Sequence, residues 1–258
     1  MHSYPIEQLL PANVFALVLV ATRIAGAITF LPGFGDAYVP VRVRVVLAFT
    51  ITLIVTPILA DRLPAEPKDI AELSALVITE AFIGAFIGLL ARVLLASLET
   101  AGAIIATQSS LASAITFDPG SQRNETLPAS LMGALALVLI FALNIHHMLL
   151  TGLVDSYQAF PAGLAPPLDD MSHAMIRLVA QGFVISLEIS APYIILGTMF
   201  YLALGLVGRI MPQLQIFYIG LPLQIMGGLT MLMVTISAVV LWFLGTFEEI
   251  LRNFMGMP

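Results

Sequence analysis

The 258-residue chain contains no cysteine, and this absence removes several kinds of chemistry at once. Disulfide bridges, thiolate metal sites and cysteine nucleophiles all require a sulfur atom that the chain does not have. Lysine is almost absent too, since Lys68 is the only one. Without a polybasic patch, the sequence has no cluster of positive charge that could bind nucleic acid or an anionic lipid surface.

Charged residues of either sign are scarce. They make up 10% of the chain, against roughly 25% in soluble domains, whereas hydrophobic residues make up 59%. The mean hydropathy is +1.01, and a soluble globule of this composition would lack the polar surface to cover itself. The composition therefore excludes a cytosolic enzyme, a nucleic-acid-binding protein and a disordered chain, and it predicts a membrane-associated all-α protein.

Apolar residues are concentrated in six stretches that approach or exceed the ~20 residues with which a helix crosses a hydrocarbon core. They are residues 14–30, 45–60, 73–98, 127–153, 176–207 and 221–244. Segments rich in proline, glycine and polar residues separate them, as is typical of helix-breaking links. The sequence therefore predicts about six long apolar helices.

Several of these stretches contain charges that lipid would reject, namely Arg23, Glu80, Arg92, Arg177 and Glu188. A charged residue at the centre of a helix costs about 2.5–3.5 kcal/mol on insertion scales, so such side chains must face protein or water. We therefore expect some of the helices to pack within a protein assembly instead of lying in lipid.

Small residues and charges at helical spacing mark the third stretch. Gly84 and Gly88 form a G-x-x-x-G pattern, which allows close approach of another helix in the same chain or in a different one. Arg92 and Glu99 share one helix face but lie about 10 Å apart along the axis. Because that is too far for a direct pair, pairing with other helices is favoured over a proton relay.

The fifth stretch contains Glu188 four residues before Pro192. Proline has no N–H to offer the carbonyl at i−4, so the helix bends and the carbonyl of Glu188 loses its donor. The carboxylate could be an ion site in a transporter, but a buried structural carboxylate with a partner is the favoured interpretation.

Asn144, His146 and His147 stand late in the fourth stretch, with Asp155 beyond them. Histidine can bind metal or change its charge near neutral pH. Adjacent histidines point to different faces of a helix, however, and no H-x-x-x-H or H-E-x-x-H spacing is present. A polar cap is therefore favoured over a metal site, and no cofactor or catalytic motif is predicted elsewhere.

Residues 108–125 suit neither a spanning helix nor a solvated loop. Small polar residues alternate there with Leu111, Ile115 and Phe117, and Asp118 precedes a proline. Irregular backbone at membrane depth is tolerated only inside protein or along a cavity. A loop within a pore and a re-entrant turn at the surface both remain open, and composition alone slightly favours the turn.

An ordered set of landmarks covers nearly the whole chain. The first are Phe15, Arg23, Gly26, Pro32-x-Phe34-Gly35, Pro40-x-Arg42-x-Arg44 and Pro57. The next are Glu80, Gly84, Gly88, Gly102, Gln108 and Asp118-Pro119. The last are Asn144-x-His146, Asp155-Ser156, Ala191-Pro192 and Arg209-x-x-Pro212-Gln213-x-Gln215-x-Phe217-x-x-Gly220-x-Pro222. Together they resemble the FliR/SctT family of the type III secretion export apparatus.

Two positions refine this resemblance. Phe117-Asp118-Pro119 looks more like the flagellar branch of the family than the injectisome branch. Gln224 occupies a place where the family often has lysine, so a contact made by that lysine would be altered here.

The resemblance implies an all-α, membrane-associated fold of bent helical hairpins, about six long apolar helices that wind into a multi-subunit helical assembly. Residues 1–160 would approximate a FliP subunit in shape, and residues 170–258 a FliQ subunit. The implied partners are FliP-like, FliQ-like and FlhB-like subunits, exported unfolded flagellar proteins and membrane lipid, with no nucleic acid. The implied place is the bacterial inner membrane at the flagellar basal body, displaced toward the periplasm.

The resemblance also implies a function, that of a non-enzymatic structural and gating subunit of the export gate, with no cofactor or metal. A loop would help to plug the closed pore, and by position its residues are Gln108, Leu111, Ile115, Phe117 and Asp118. Packing against other subunits is implied for Arg23, Glu80, Gly84, Gly88, Arg92, Glu188, Arg209 and Gln213.

Three rival functions remain open at this stage. One is a subunit of an injectisome, from the same family. Another is an ion-coupled secondary transporter with Glu188 or Glu80 as its ion site. The third is a membrane enzyme, for which only His146, His147 and Asp155 are candidates.

Overall fold

The computed structural model describes residues 6–67, 69–112, 126–211 and 216–255, and these residues form helices joined by short links. The α-helices are α1 (Ile6–Phe30), α2 (Val41–Leu59), α3 (Ile70–Gln108), α4 (Leu127–Ala142), α5 (Ile145–Ala159), α6 (Leu168–Ile210) and α7 (Ile216–Met255). A short 3-10 turn, Ala60–Arg62, follows α2. No strand occurs in the described ranges, and the predicted all-α fold of long apolar helices is confirmed.

The fourth apolar stretch forms two helices, α4 and α5, instead of one. The break falls at Asn144, whose backbone has a φ of 61° in the left-handed region. Asparagine is one of the few residues that adopts this conformation readily, and it cannot continue a right-handed helix. The stretch that the sequence predicts as one helix is therefore a broken pair.

Within the described ranges, four helices are long and apolar enough to cross a membrane, and the broken pair α4–α5 makes a fifth if it counts as one span. The four segments are Val41–Arg62, Ile70–Gln108, Leu168–Ile210 and Gly220–Phe254. The apolar part of α1, Val14–Phe30, is shorter. Helices α3, α6 and α7 have 39, 43 and 40 residues, far more than a bilayer needs.

The chain divides into two compact units that interleave along the sequence. The first combines Met1–Arg92, Leu143–Ile176 and Ile250–Pro258, and the second combines Val93–Ala142 and Arg177–Glu249. The division at about residue 160 into FliP-like and FliQ-like parts refers to the shapes of other proteins, and it stays a prediction.

Each unit has its own apolar core. In the first unit the fully buried side chains include Leu19, Ile24, Ile28, Leu31 and Ile83. In the second unit they include Leu94, Leu98, Tyr193, Phe243 and Phe247. Many other large apolar side chains remain exposed on α2, α6 and α7, as expected for a chain covered by lipid or by other subunits.

Candidate functional site

Arg23 of α1 and Glu80 of α3 form a buried ion pair in the first unit. Their side chains are 0% and 1% exposed. Arg23 Nε donates to Glu80 Oε2 at 2.6 Å, and Arg23 Nη2 donates to Glu80 Oε1 at 3.0 Å. Two parallel hydrogen bonds of this kind are the strongest arrangement that a guanidinium and a carboxylate can make.

The end of α5 completes the surroundings of the guanidinium. Arg23 Nη2 also donates to the carbonyl of Phe160 at 2.9 Å, and Arg23 Nη1 donates to Ser156 Oγ at 3.3 Å. The Tyr157 ring lies beneath the guanidinium, with its centroid 3.7 Å from Cζ. Because Phe160 caps the C-terminus of α5, the cation also meets the negative end of the helix dipole. One arginine therefore ties α1, α3 and α5 together.

The packing of α1 on α3 explains the G-x-x-x-G pattern. A Cβ atom at Gly88 would lie 2.5 Å from the carbonyl oxygen of Ala27, and one at Gly84 would collide with the backbone of Arg23. Gly26 of α1 packs equally closely on α3, because a Cβ atom at Gly26 would lie 2.7 Å from the carbonyl oxygen of Ala81. Of the two alternatives left open by the sequence, the structure uses this face for contact within the chain.

Arg23 and Glu80 were expected to face neighbouring subunits or water, and the structure instead pairs them inside the first unit. The spacing of 57 residues between them gave no local signal for this pair. A role for these two residues and the two glycines in packing against other subunits stays a prediction.

Arg92 reaches the link between α1 and α2, where it pairs with the Asp36 carboxylate. Asp36 Oδ2 also accepts hydrogen bonds from the Gly33 N–H and the Tyr38 hydroxyl, both at 2.8 Å. Burial by itself would raise the pKa of Asp36, but the hydrogen bonds from Arg92, Gly33 and Tyr38 together hold that pKa below its usual range. The carboxylate therefore stays ionised at physiological pH and fixes the link.

The C-terminal end of α3 is held by two helices of the second unit. The Gln224 amide of α7 is 3% exposed, and its Nε2 donates to the carbonyl of Gln108 at 2.6 Å. Gly197 of α6 lies so close that a Cβ there would be 2.6 Å from Gln108 Oε1, and Gly228 of α7 packs directly on Ser109. A carbonyl at the end of a helix has no partner within the helix, so the Gln224 amide satisfies it.

The chain turns sharply after this point. Ser110 has a φ of 58°, which ends the right-handed helix, and Leu111 is buried at 9% exposure. Of the residues assigned by resemblance to the pore plug, Gln108 and Leu111 are placed at this end of α3. Ile115, Phe117 and Asp118 lie outside the described residues. In the sequence, Gln224 differs from the lysine that is common in the family. Its hydrogen bond to the Gln108 carbonyl, 116 residues away, could not be predicted from that difference.

The remaining candidates are placed as follows. Glu188 was expected to be buried, but it is exposed near the middle of α6, on a face where Val184 and Leu187 are exposed as well. Arg209 is exposed in the last turn of that helix. Gln213 lies outside the described residues. The rings of His146 and His147 lie 4.2 Å apart, yet the described part of the chain contains no group of three His, Asp or Glu side chains that could hold a metal ion.

The fold and these sites define an all-α membrane protein with several long apolar helices and a buried ion pair in its first unit. Residues 14–250 match the family model described as "Bacterial export proteins, family 1", and the chain belongs to that family, the FliR family.

Proteins from three different bacteria align with most of the chain. "Flagellar biosynthetic protein FliR" of Caulobacter vibrioides is 34% identical over 242 residues, which cover 94% of this chain and 96% of that protein. The proteins of the same name from Escherichia coli strain K12 and Bacillus subtilis strain 168 are 33% and 29% identical. The matches cover 88% and 94% of this chain, and 87% and 95% of those proteins. Family membership therefore concerns nearly the whole chain.

Proposed function

We propose that the chain is a structural and gating subunit of the flagellar type III protein export gate, and that residues 108–118 contribute to the plug of its closed pore. It has no enzymatic role in this proposal. Its partners are FliP-like, FliQ-like and FlhB-like subunits, and unfolded flagellar proteins pass through the assembly. It works in the inner membrane at the flagellar basal body, displaced toward the periplasm.

The observation that carries the gating part is the fixed end of α3. The hydrogen bond from Gln224 and the close contacts at Gly197 and Gly228 hold the base of the plug segment against two long helices. A segment anchored at its base can close a pore by steric and hydrophobic exclusion, since apolar side chains such as those of Ile115 and Phe117 in its sequence exclude water and with it ions. The energy for opening would come from substrate and partners, because no nucleotide motif is present.

The flagellar assignment is supported by the names of the relatives and by Phe117-Asp118-Pro119, which resembles the flagellar branch. A transporter that uses Glu80 as its ion site is disfavoured, because that carboxylate already accepts two hydrogen bonds from Arg23.

The experiment is deletion of residues 111–117 in the complete export gate, purified through a tag on this chain. We expect FliP-like and FliQ-like subunits to co-purify as with the wild-type chain, because the deletion removes no residue of α1 to α7. We expect ion leak through the reconstituted complex to rise, since the apolar plug is gone. Wild-type leak in a fully assembled deletion complex would contradict the gating role, and isolation of the wild-type chain as a stable, active monomer would contradict the whole proposal.

A matched pair of substitutions controls for nonspecific damage to the pore. Gln224→Leu removes the donor to the Gln108 carbonyl and should raise leak toward that of the deletion. Gln224→Lys retains a donor in the form of an ammonium group, and it should leave leak close to the wild-type level. Equal leak from both variants would show that the hydrogen bond does not position the plug.

A further inference from the structure

Glu188 is a carboxylate in the middle of an apolar, exposed surface. It lies near the midpoint of α6, which spans Leu168–Ile210. Its neighbours on the helix, Val184, Leu187 and Ile195, are 53%, 53% and 61% exposed. Lipid against this surface would surround an ionised carboxylate with hydrocarbon, an environment that strongly disfavours the charge.

Within the described residues, the Glu188 side chain has no hydrogen-bond donor and no cation as partner. This distinguishes it from Glu80, which is fully satisfied by Arg23. Charged side chains at membrane depth face a protein interior or water and pair with another group. The partner of Glu188 must therefore come from outside the described part of this chain.

A groove between α6 and α7 shows what kind of partner would fit. Glu188, Ile189 and Pro192 line one wall, and Ala238, Val239 and Trp242 line the other, around a cavity of about 300 Å³. The Trp242 indole is 48% exposed. Pro192 has no N–H, so the backbone carbonyl of Glu188 lacks its usual helical donor. The groove therefore has an apolar lining on which Glu188 supplies a carboxylate and Trp242 an aromatic ring.

We propose that this groove receives an arginine side chain from an apolar helix of a neighbouring subunit. A guanidinium has several N–H donors in a planar fork, so it can pair with the Glu188 carboxylate while its flat face stacks on the Trp242 indole. A lysine ammonium would be a more strongly hydrated point charge without a flat face. The neighbour is a subunit of the export gate, so this inference rests on the proposed function.

Two other occupants fit less well. A metal ion needs more ligands than one carboxylate, and the described residues contain no cluster of three candidate ligands. The amine of a lipid headgroup would have to reach Glu188 from the membrane surface. Glu188 lies about 30 Å from either end of α6 at 1.5 Å per residue, so a headgroup amine reaches it only if the bilayer surface crosses the middle of that helix.

The test begins with removal of the charge in the assembled export gate. With Glu188→Gln, we expect at least about a tenfold drop in the neighbouring subunits recovered through a tag on this chain, because a desolvated guanidinium loses its counter-charge. Glu188→Asp, which keeps the charge, should recover most of the yield. Glu249→Gln is the matched control, since Glu249 is an exposed glutamate near the end of α7, outside the apolar groove. Wild-type recovery with Glu188→Gln would overturn the proposal.

A charge reversal then identifies the partner. Glu188→Arg should abolish assembly, and selection for restored motility should return substitutions of an arginine by Asp or Glu in an apolar helix of a FliP-like, FliQ-like or FlhB-like subunit. Suppressors confined to this chain, or to genes of lipid synthesis, would overturn the proposal. Failure of the wild-type chain to recover any of these subunits would instead refute the proposed function.

Discussion

Arg23 is the residue on which three helices of the first unit depend. It has no exposed surface, and its donors go to Glu80, to Ser156 and to the carbonyl that ends α5. A buried ion pair of this kind contributes little net stability compared with apolar residues of the same size, but loss of one partner leaves an uncompensated charge.

We therefore expect Arg23→Met and Glu80→Leu each to lower the free energy of unfolding by about 3–5 kcal/mol. The double variant should lose less than the sum of the two single losses, because no charge remains buried without a partner. Denaturant unfolding of the detergent-solubilised chain measures all three values in one double-mutant cycle. Additive losses would mean that the two residues act independently.

At the scale of elements, glycines set the distance between α1 and α3. Gly84 and Gly88 let the backbone of α1 approach at positions where any larger residue would collide. Close helix approach through small residues is the usual means by which helices pack tightly in a membrane. The same helix contains Arg92, so its position in the first unit also fixes the link that holds Asp36.

We expect Gly84→Ala to destabilise the chain by about 1–3 kcal/mol, because the new methyl group forces α1 and α3 apart. Gly205→Ala in α6 is the control, since a Cβ there has open space around it. At that position alanine should be neutral or stabilising by up to about 1 kcal/mol, as helix propensity favours it over glycine. Thermal unfolding of the two variants checks the contrast, and equal shifts would refute the close-packing argument.

At the scale of the whole molecule, one loop contact bears on how often the chain crosses the membrane. A Cβ at Gly163, in the link between α5 and α6, would lie 3.2 Å from Pro64 Cβ in the link between α2 and α3. These two links must then lie on the same side of the membrane. With α3 as a spanning helix, we therefore predict that α4 and α5 together return the chain across the membrane as one broken span.

We therefore predict that a reagent reaches residues 65 and 164, both exposed, from the same side of the membrane. The natural lack of cysteine makes the test direct, because a single introduced thiol has no background. Ala65→Cys and Leu164→Cys should react with a membrane-impermeant maleimide in the same preparation, either spheroplasts or inverted vesicles. Reaction in opposite preparations would mean that α4 and α5 form a re-entrant loop.

The extent of sequence-based prediction differs between the fold and the sites. Scarce charge and long apolar runs predicted the all-α membrane fold, because 20-residue apolar segments have one stable state in lipid. The break at Asn144 was missed, since the apolar pattern continues across it and only the backbone angle reveals it. The sequence predicted that Arg23 and Glu80 are paired or solvated, but the pattern of apolar and charged residues did not indicate that they pair with each other.

The sequence by itself determined the apolar composition, the helical fold, the charged residues that lipid would reject and membership in an export family. Only the tertiary structure decided where each of those residues finds its partner. Arg23 and Glu80 meet inside the chain, the Gln224 amide reaches the end of α3, and Glu188 is left facing outward beside Trp242. The reason is physical: hydropathy and helix formation depend on residues close in sequence, whereas the pairing of buried polar groups depends on which helices pack together.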